Sequence, residues 1–209
     1  MGSGFNEEAD RPDYDNLAAL AENIVYRVPG CTDLMVRKAI AETYRDFCKR
    51  TCVIRTRRRI ELLHGKNDYC LHPKFPECIV DCVVCASVGG RRMDLDGYAA
   101  WTGDAIHLDG RMLPPEGETA MMDVECVEVP RIGSEHAPRL FIERYGDAIV
   151  SGALYRLMSM SGRAWSDPQQ AMLEARLYEN ALTEHRTRYH SGGNLSTGCA
   201  NFISGGLIV

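Results

Sequence analysis

Cys78-Ile-Val-Asp-Cys-Val-Val-Cys-Ala-Ser-Val88 is apolar on both sides of any strand drawn through it, with one acid, Asp81, in the run. An edge strand half turned to water alternates polar and apolar residues, so this stretch reads as a central strand. Turn signals crowd around it: Gly89-Gly90, Asp96-Gly97, Thr102-Gly103 and Asp109-Gly110. Their close spacing is that of a meander of short strands. Val53–Leu63 begins β-branched and partly alternates, Tyr69–His72 is a short extended piece before Pro73, and Met121–Val129 is a further strand stopped by Pro130. Residues 52–141 are therefore expected to form an antiparallel β region.

The pattern on either side is helical. Leu17, Leu20, Ala21 and Ile24 recur at helical spacing, and Val28-Pro29-Gly30 stops that helix, because proline disfavours helix in the residue before it. Thr32 or Asp33 caps a second helix, whose buried stripe is Val36, Ala39, Ile40, Tyr44, Phe47 and Cys48 and whose polar face carries Arg37, Lys38, Glu42, Arg45 and Lys49. The two are expected to form a hairpin. Helix resumes near Ile142, with Ala148, Ile149, Ala153, Leu154, Leu157 and Met158 as its apolar face. Asp167-Pro168-Gln169-Gln170 opens the last helix: Asp caps, Pro sits where its missing donor costs nothing, and Gln170 completes a capping box. That helix runs to about Tyr189, with Leu173, Leu177, Tyr178, Ala181 and Leu182 expected inward. The fold class expected is α+β. Helices in 14–51 and 142–190 pair into a four-helix bundle, the β region 52–141 is inserted between them, and residues 1–13 form a mobile, acidic N-terminal segment.

Beyond Ser191-Gly192-Gly193 the chain reads Asn-Leu-Ser-Thr-Gly-Cys-Ala-Asn-Phe-Ile-Ser-Gly-Gly-Leu-Ile-Val209, without a charged side chain. Disordered tails are polar and charged, because they bury too little apolar surface to offset their ordering. Residues 191–209 therefore read as an extended arm that rests against its own domain or a neighbour, through Phe202, Ile203, Leu207, Ile208 and Val209. Such an arm points to an assembly component rather than a free-standing enzyme.

The length, 209 residues, suits one domain with an arm, and a hydrophobic share of 45% supports a core. A net charge of −5 argues against general affinity for nucleic acid, which needs a basic surface. The apolar runs are too short to span a bilayer, and Met1–Glu8 lacks the charged-then-apolar order of a signal peptide. Nine cysteines, an odd number without an export signal, read as reduced thiols acting as small hydrophobes. Cys78, Cys82 and Cys85 invite a zinc reading, with His64 or His72 as a fourth ligand. A continuous strand, however, sends Cys82 and Cys85 to opposite faces. Arg55, Arg57 and Arg59 share one face of their strand: a solvated, aggregation-resistant edge, or a contact with an acidic partner or DNA. The histidines form no metal motif, and there is no nucleophile elbow, phosphate loop or dinucleotide fingerprint. No catalytic constellation, metal or cofactor is expected.

Val28-Pro-Gly-Cys-Thr-Asp-Leu34, followed by Ala41-Glu-Thr-Tyr-Arg-Asp-Phe-Cys-Lys-Arg-Thr51, resembles the opening of tailed-bacteriophage head-to-tail adaptor proteins, also called connectors or tail-tubular proteins of the adaptor type. That family opens with a VPGCP turn and a helix ending in an FCxRT segment. Tyr145-Gly-Asp-Ala-Ile-Val-Ser-Gly-Ala-Leu-Tyr-Arg-Leu-Met158 and Gly162-Arg-Ala-Trp-Ser-Asp-Pro-Gln-Gln-Ala171 are similar to its later helix and its tryptophan-containing turn. Thr32 stands where a proline is common. The resemblance spans residues 15 to 190 and implies a structural virion protein of the neck or connector, assembled in the host cytoplasm. Its subunits form a ring, commonly a dodecamer, beneath the portal protein. The ring extends the channel through which genomic DNA passes without specific binding, and it offers a platform to the next neck or tail-completion protein. The expected contact elements are the arm residues Phe202, Ile203, Leu207, Ile208 and Val209, and the Arg55, Arg57 and Arg59 face. The rival readings are a small cytoplasmic metal-binding protein or enzyme built around Cys78, Cys82 and Cys85, and a DNA-binding module using the arginine strand.

Overall fold

The computed structural model describes residues 13–93, 99–102 and 105–191. The chain opens with β1 (Tyr14–Asn16), a 3-10 turn (Leu17–Ala21), α1 (Glu22–Val25) and α2 (Asp33–Thr51). Strands follow: β2 (Arg55–Leu63), β3 (Asp68–Cys70), β4 (Cys78–Val88), β5 (Arg91–Arg92), β6 (Ala99–Thr102), β7 (Ala105–Leu108), β8 (Thr119–Pro130) and β9 (His136–Pro138). The chain then forms α3 (Arg139–Met158) and α4 (Pro168–Ser191). The fold is α+β and divides into two compact units. One holds the chain up to Phe47 together with Ile132–Thr183, and the other holds Cys48–Arg131 with α4 from Glu184 onward.

In the first unit, the Asn16 side chain accepts from the Ala18 amide at 2.7 Å and starts the 3-10 turn, while β1 pairs antiparallel with β9. Leu17, Leu20, Ala21 and Ile24 are buried, as their spacing predicts. The helical stretch is nevertheless a 3-10 turn followed by the four residues of α1. This overturns the four-helix bundle: its first member is too short to present a packing ridge to three neighbours. Among the described residues the long helices are α2, α3 and α4. They meet through aromatic rings. Tyr44 and Phe47 of α2 lie 4.8 Å and 5.8 Å from Phe141 of α3, and Phe47 lies 6.3 Å from Tyr178 of α4, centroid to centroid. Pairs at such separations add to area burial.

The face α4 turns inward matches the expected one only in part. Tyr178 and Leu182 are buried as expected, with Ala171 and Glu174, whereas Leu173 and Leu177 are about half exposed, at 50% and 49%. Both sets satisfy helical spacing. The choice between them follows from Arg27, which pairs with Glu174, and from Gly152, which leaves room for the Tyr178 ring. Asp167 caps α4 as expected, accepting from the Gln169 and Gln170 amides at 3.1 Å and 3.0 Å. The Gln170 side chain donates forward to Glu174 instead of back to the cap.

The second unit carries a four-stranded antiparallel sheet ordered β2-β8-β4-β5 and a three-stranded one ordered β3-β7-β6. Leu62, Val80, Val83, Met122 and Val124 from the first sheet and Tyr69, Ile106 and Leu108 from the second share one core. β4 is central to the extent that it pairs β8 on one side, but β5 covers only its last two residues on the other. Gly89 and Gly90, both at positive φ, make the β4–β5 turn. The expected arm, 191–209, and the N-terminal segment, 1–13, lie outside the described residues apart from Ser191 and Asp13.

A side chain at Gly152 tests the helix packing. A Cβ there would sit 2.5 Å from Thr43 Cγ2 and 2.9 Å from the Tyr178 ring. Gly152→Val is expected to lower the urea midpoint of the helical circular-dichroism signal by an amount equivalent to ~1–3 kcal/mol, the usual cost of overpacking. Gly110→Ala, where an added Cβ meets nothing within 4 Å, should leave the midpoint in place. Equal effects from the two would refute the close approach.

Candidate interaction surface

Alternation along β2 and its register against β8 decide where the arginines point. Arg55 pairs with Val127, Arg57 with Glu125 and Arg59 with Asp123, and directly opposed residues share a face. Arg55 Nη1 lies 3.2 Å from Glu125, Arg57 Nε 3.3 Å from the same carboxylate, and Arg59 Nε 2.9 Å from Asp123. The side chains of Arg57 and Arg59 are 86% and 68% exposed, so a partner can reach them, yet each already has an acid beside it. This is a cross-strand charge ladder. It sits on an edge strand and discourages edge-to-edge pairing there. DNA binding draws its affinity from cations that release counterions, and a ladder neutralised in cis has fewer of those to give.

The opposite face of β2 holds a residue that the sequence reading passed over. Arg58 turns inward and pairs with Glu128, which is fully buried. The Glu128 carboxylate also accepts from Thr56 Oγ1 at 2.7 Å, the Lys74 amide at 2.8 Å and the Phe75 amide at 3.3 Å. It therefore fastens the segment before β4 to the sheet. Arg58 Nη1 is buried and has no partner among the described residues. The available signal was the single acid in the apolar run Val127-Glu128-Val129; Arg58 was masked by the arginines on both sides.

The thiols are placed by two irregularities in β4. Its register against β8 shifts between Val80 and Cys82 and again between Val83 and Cys85. Cys82 then opposes Val127 and Cys85 opposes Glu125, two residues apart on β8, so both thiols lie on the same face. This corrects the expectation that they point to opposite faces, which holds only for an uninterrupted strand. Cys78 turns to the other face and is buried, as are Val80, Val83 and Ala86. His64 Nδ1 instead lies 3.0 Å from the Pro114 carbonyl, and His72 is exposed. Among the described residues no group of three or more His, Cys, Asp or Glu side chains is arranged to hold a metal ion. Burial pushes the Cys78 thiol up to about 12, and the Cys82 and Cys126 thiols up to about 11. Raised values of this kind keep the thiols protonated and unreactive near neutrality.

Two segments flanking the stretches that carry the resemblance meet in the first unit. Arg27, just before Val28, reaches Glu174 on α4. The Arg163 guanidinium lies 5.9 Å from the Trp165 ring centroid and close enough to Cys31 to oppose the burial that raises that thiol. Glu174 is 2% exposed, and its Oε2 has no partner among the described residues. Phe202, Ile203, Leu207, Ile208 and Val209, the other expected contact residues, lie outside the described residues. A scan against protein-family models and a search of curated proteins returned no match for the chain. No helix among the described residues is long and apolar enough to cross a membrane.

Removing Glu128 leaves Arg58 buried without its counter-charge. Glu128→Leu is expected to cost about 3–5 kcal/mol, the usual range for breaking one side of a buried pair. The exposed substitutions Arg57→Ala and Arg59→Ala should barely move the urea midpoint; a Glu128 variant as stable as either would show the clasp to be dispensable.

The thiols give a pH dependence of definite sign. Their folded-state values are raised above the ordinary 9.0, so the folded chain holds protons that the unfolded chain has lost. Their stabilising contribution is fully present below pH ~9 and is lost as pH rises through about 11 and 12. Urea melts should weaken over that interval in the parent and weaken less in Cys78→Ala; a Cys78→Ala curve parallel to the parent would contradict the assignment. At pH 8, iodoacetamide should modify the exposed Cys70 well before Cys78, Cys82 or Cys126, read by peptide mass spectrometry.

Proposed function

We propose that the chain is a structural head-to-tail adaptor of a tailed bacteriophage. In this reading it is a ring subunit that docks beneath the portal protein, extends the DNA channel and offers a platform to the next neck or tail-completion protein. The observation that carries the reading is the packing of two of the stretches behind the resemblance against each other. Gly152 in Tyr145–Met158 packs against Thr43 in Ala41–Thr51. Arg163 in Gly162–Ala171 is near enough to Cys31 in Val28–Leu34 for its charge to oppose the burial that raises that thiol. Stretches more than a hundred residues apart in sequence are thus neighbours in the fold, which supports reading them together.

The surface chemistry supports the same reading. A conduit must let DNA slide, and the arginine ladder on β2 is matched by Glu125 and Asp123 rather than left as bare positive charge. The rival readings have less behind them. The thiols of β4 have raised values that suit packing, and the arginines are paired in cis.

The test is co-assembly. Purified chain mixed with portal rings from the genome that encodes it should co-sediment with them and add a ring of density below the portal in electron micrographs. Portal rings that stay bare at saturating chain would overturn the adaptor reading. Salt-sensitive binding of the isolated chain to duplex DNA, lost on replacing Arg55, Arg57 and Arg59, would move the assignment to a DNA-binding module.

A further inference from the structure

Cys52 is the one residue other than glycine at positive φ among the described residues, at 52°. It follows the last residue of α2, and its amide donates back to the Cys48 carbonyl at 2.9 Å, so it ends the helix in the left-handed conformation. Glycine fills such a position without steric cost, and asparagine is the usual second choice. A cysteine there breaks the local rule, and a rule broken in this way points to a use for the side chain.

The sheet of the second unit shows what that thiol can meet. Arg55 and Cys82 both oppose Val127 of β8, one from each side, so the three share a face. Arg55 Nε donates to the Cys52 carbonyl at 3.4 Å, which brings residue 52 to that face. Cys82 is on it only because β4 is irregular; in an uninterrupted strand it would turn to the core with Cys78 and Val80. Of the charges that act on the Cys82 thiol, that of Cys52 is the largest, ahead of Asp81 and Arg55. Both thiols are partly exposed and in no disulfide. Two departures from regular backbone, one at the end of α2 and one in β4, thus bring the same two cysteines to one face.

We propose that Cys52 and Cys82 form a dithiol site, which a small-molecule disulfide such as oxidised glutathione converts to an internal disulfide. The Cys52 thiolate attacks one glutathione sulfur, the glutathione S–S bond breaks, and one glutathione thiolate leaves with the electron pair. The Cys82 thiolate then attacks the Cys52 sulfur and expels the second glutathione. The two protein thiols lose two protons and two electrons, and two glutathione thiols gain them. The Cys52 thiol has only a weak contact to give up, its donation to the Lys49 carbonyl at 3.7 Å. Burial holds Cys82 protonated and slows its attack on reagents in solution. Its attack on Cys52 is intramolecular, so proximity offsets the small thiolate fraction, and the nearby Arg55 charge favours the thiolate. The new bond would fasten the end of α2 to β4. The inference stands apart from the adaptor reading, since it needs neither a ring nor a portal.

The experiment uses the full, reduced chain, dilute enough to disfavour bonds between chains. It is incubated with oxidised glutathione at pH 8, quenched with acid, digested without reductant and mapped by mass spectrometry. The folded chain is expected to join Cys52 to Cys82 about tenfold or more above Cys52 to any other thiol, because folding raises the effective concentration of that pair. In denaturing urea the preference should vanish, and excess reduced glutathione should reverse the bond. Cys82→Ser should stop the reaction at the mixed disulfide of Cys52 with glutathione. Cys85→Ser, which alters the other β4 thiol on the same face, should leave the yield unchanged. A folded chain that pairs Cys52 with another thiol, stops at the mixed disulfide, or forms Cys52–Cys82 no more often than in urea overturns the proposal. Loss of the bond in a Cys85→Ser chain with unchanged circular dichroism would make Cys85 the resolving thiol and overturn it too.

Discussion

The second unit is organised around a carboxylate that no water reaches. Glu128 is fully buried and receives hydrogen bonds from a guanidinium, a hydroxyl and two backbone amides. A buried ion is tolerated only when its charge is matched and its lone pairs are filled, and here both conditions are met from one side of the sheet. The consequence is directional. Arg58 must face inward to reach Glu128, so Arg55, Arg57 and Arg59 must face out, since a strand sends successive side chains to opposite faces. A slip of one residue would bury three arginines and expose Arg58, so the ion pair pins the β2–β8 register more firmly than apolar contacts alone would. Ladder and clasp are two sides of one alternation.

The same residue marks where β4 departs from regular pairing. Val80 opposes Glu128, and the first register shift follows immediately. Each shift admits an extra residue, Asp81 and then Val84, so the inward positions become Cys78, Val80, Val83 and Ala86. In an uninterrupted strand Cys82 and Val84 would face the core; the two shifts put Val83 there in their place and return Ala86 to the same face. In the first unit a second buried carboxylate acts comparably. Glu174, held by Arg27 and Gln170, rotates α4 so that Tyr178 fills the space above Gly152, and Leu173 and Leu177 turn outward.

What was legible in the sequence follows from this. The α2 stripe Val36, Ala39, Ile40, Tyr44, Phe47 and Cys48 is buried as read, because a single apolar face leaves no choice of orientation. The Asp167 cap was legible because it is a local bond between residues two and three apart. The inward face of α4 was legible at Tyr178 and Leu182 but not at Leu173 and Leu177, which hydrophobicity favours and which recur at the same spacing as the buried Ala171, Glu174, Tyr178 and Leu182. Arg27, far away in sequence, decides it. The short first helix was misjudged for a related reason: periodicity reports which side is buried, not how many turns follow. Bulges leave no mark in composition, so the facing of Cys82 and Cys85 had to come from the register. Arg55, Arg57 and Arg59 were correctly grouped on one face, but their acidic partners lie more than sixty positions downstream.

Two described surfaces differ in what they leave unfinished. On β2 the ladder closes on itself, with each guanidinium beside Glu125 or Asp123, so a partner arriving there must displace an existing pair for a small net return. In the first unit, Tyr26 after α1 and Leu34 at the start of α2 are 88% and 76% exposed. Covering such side chains releases structured water without breaking a bond, so a contact there gains free energy that displacing a ladder pair would not.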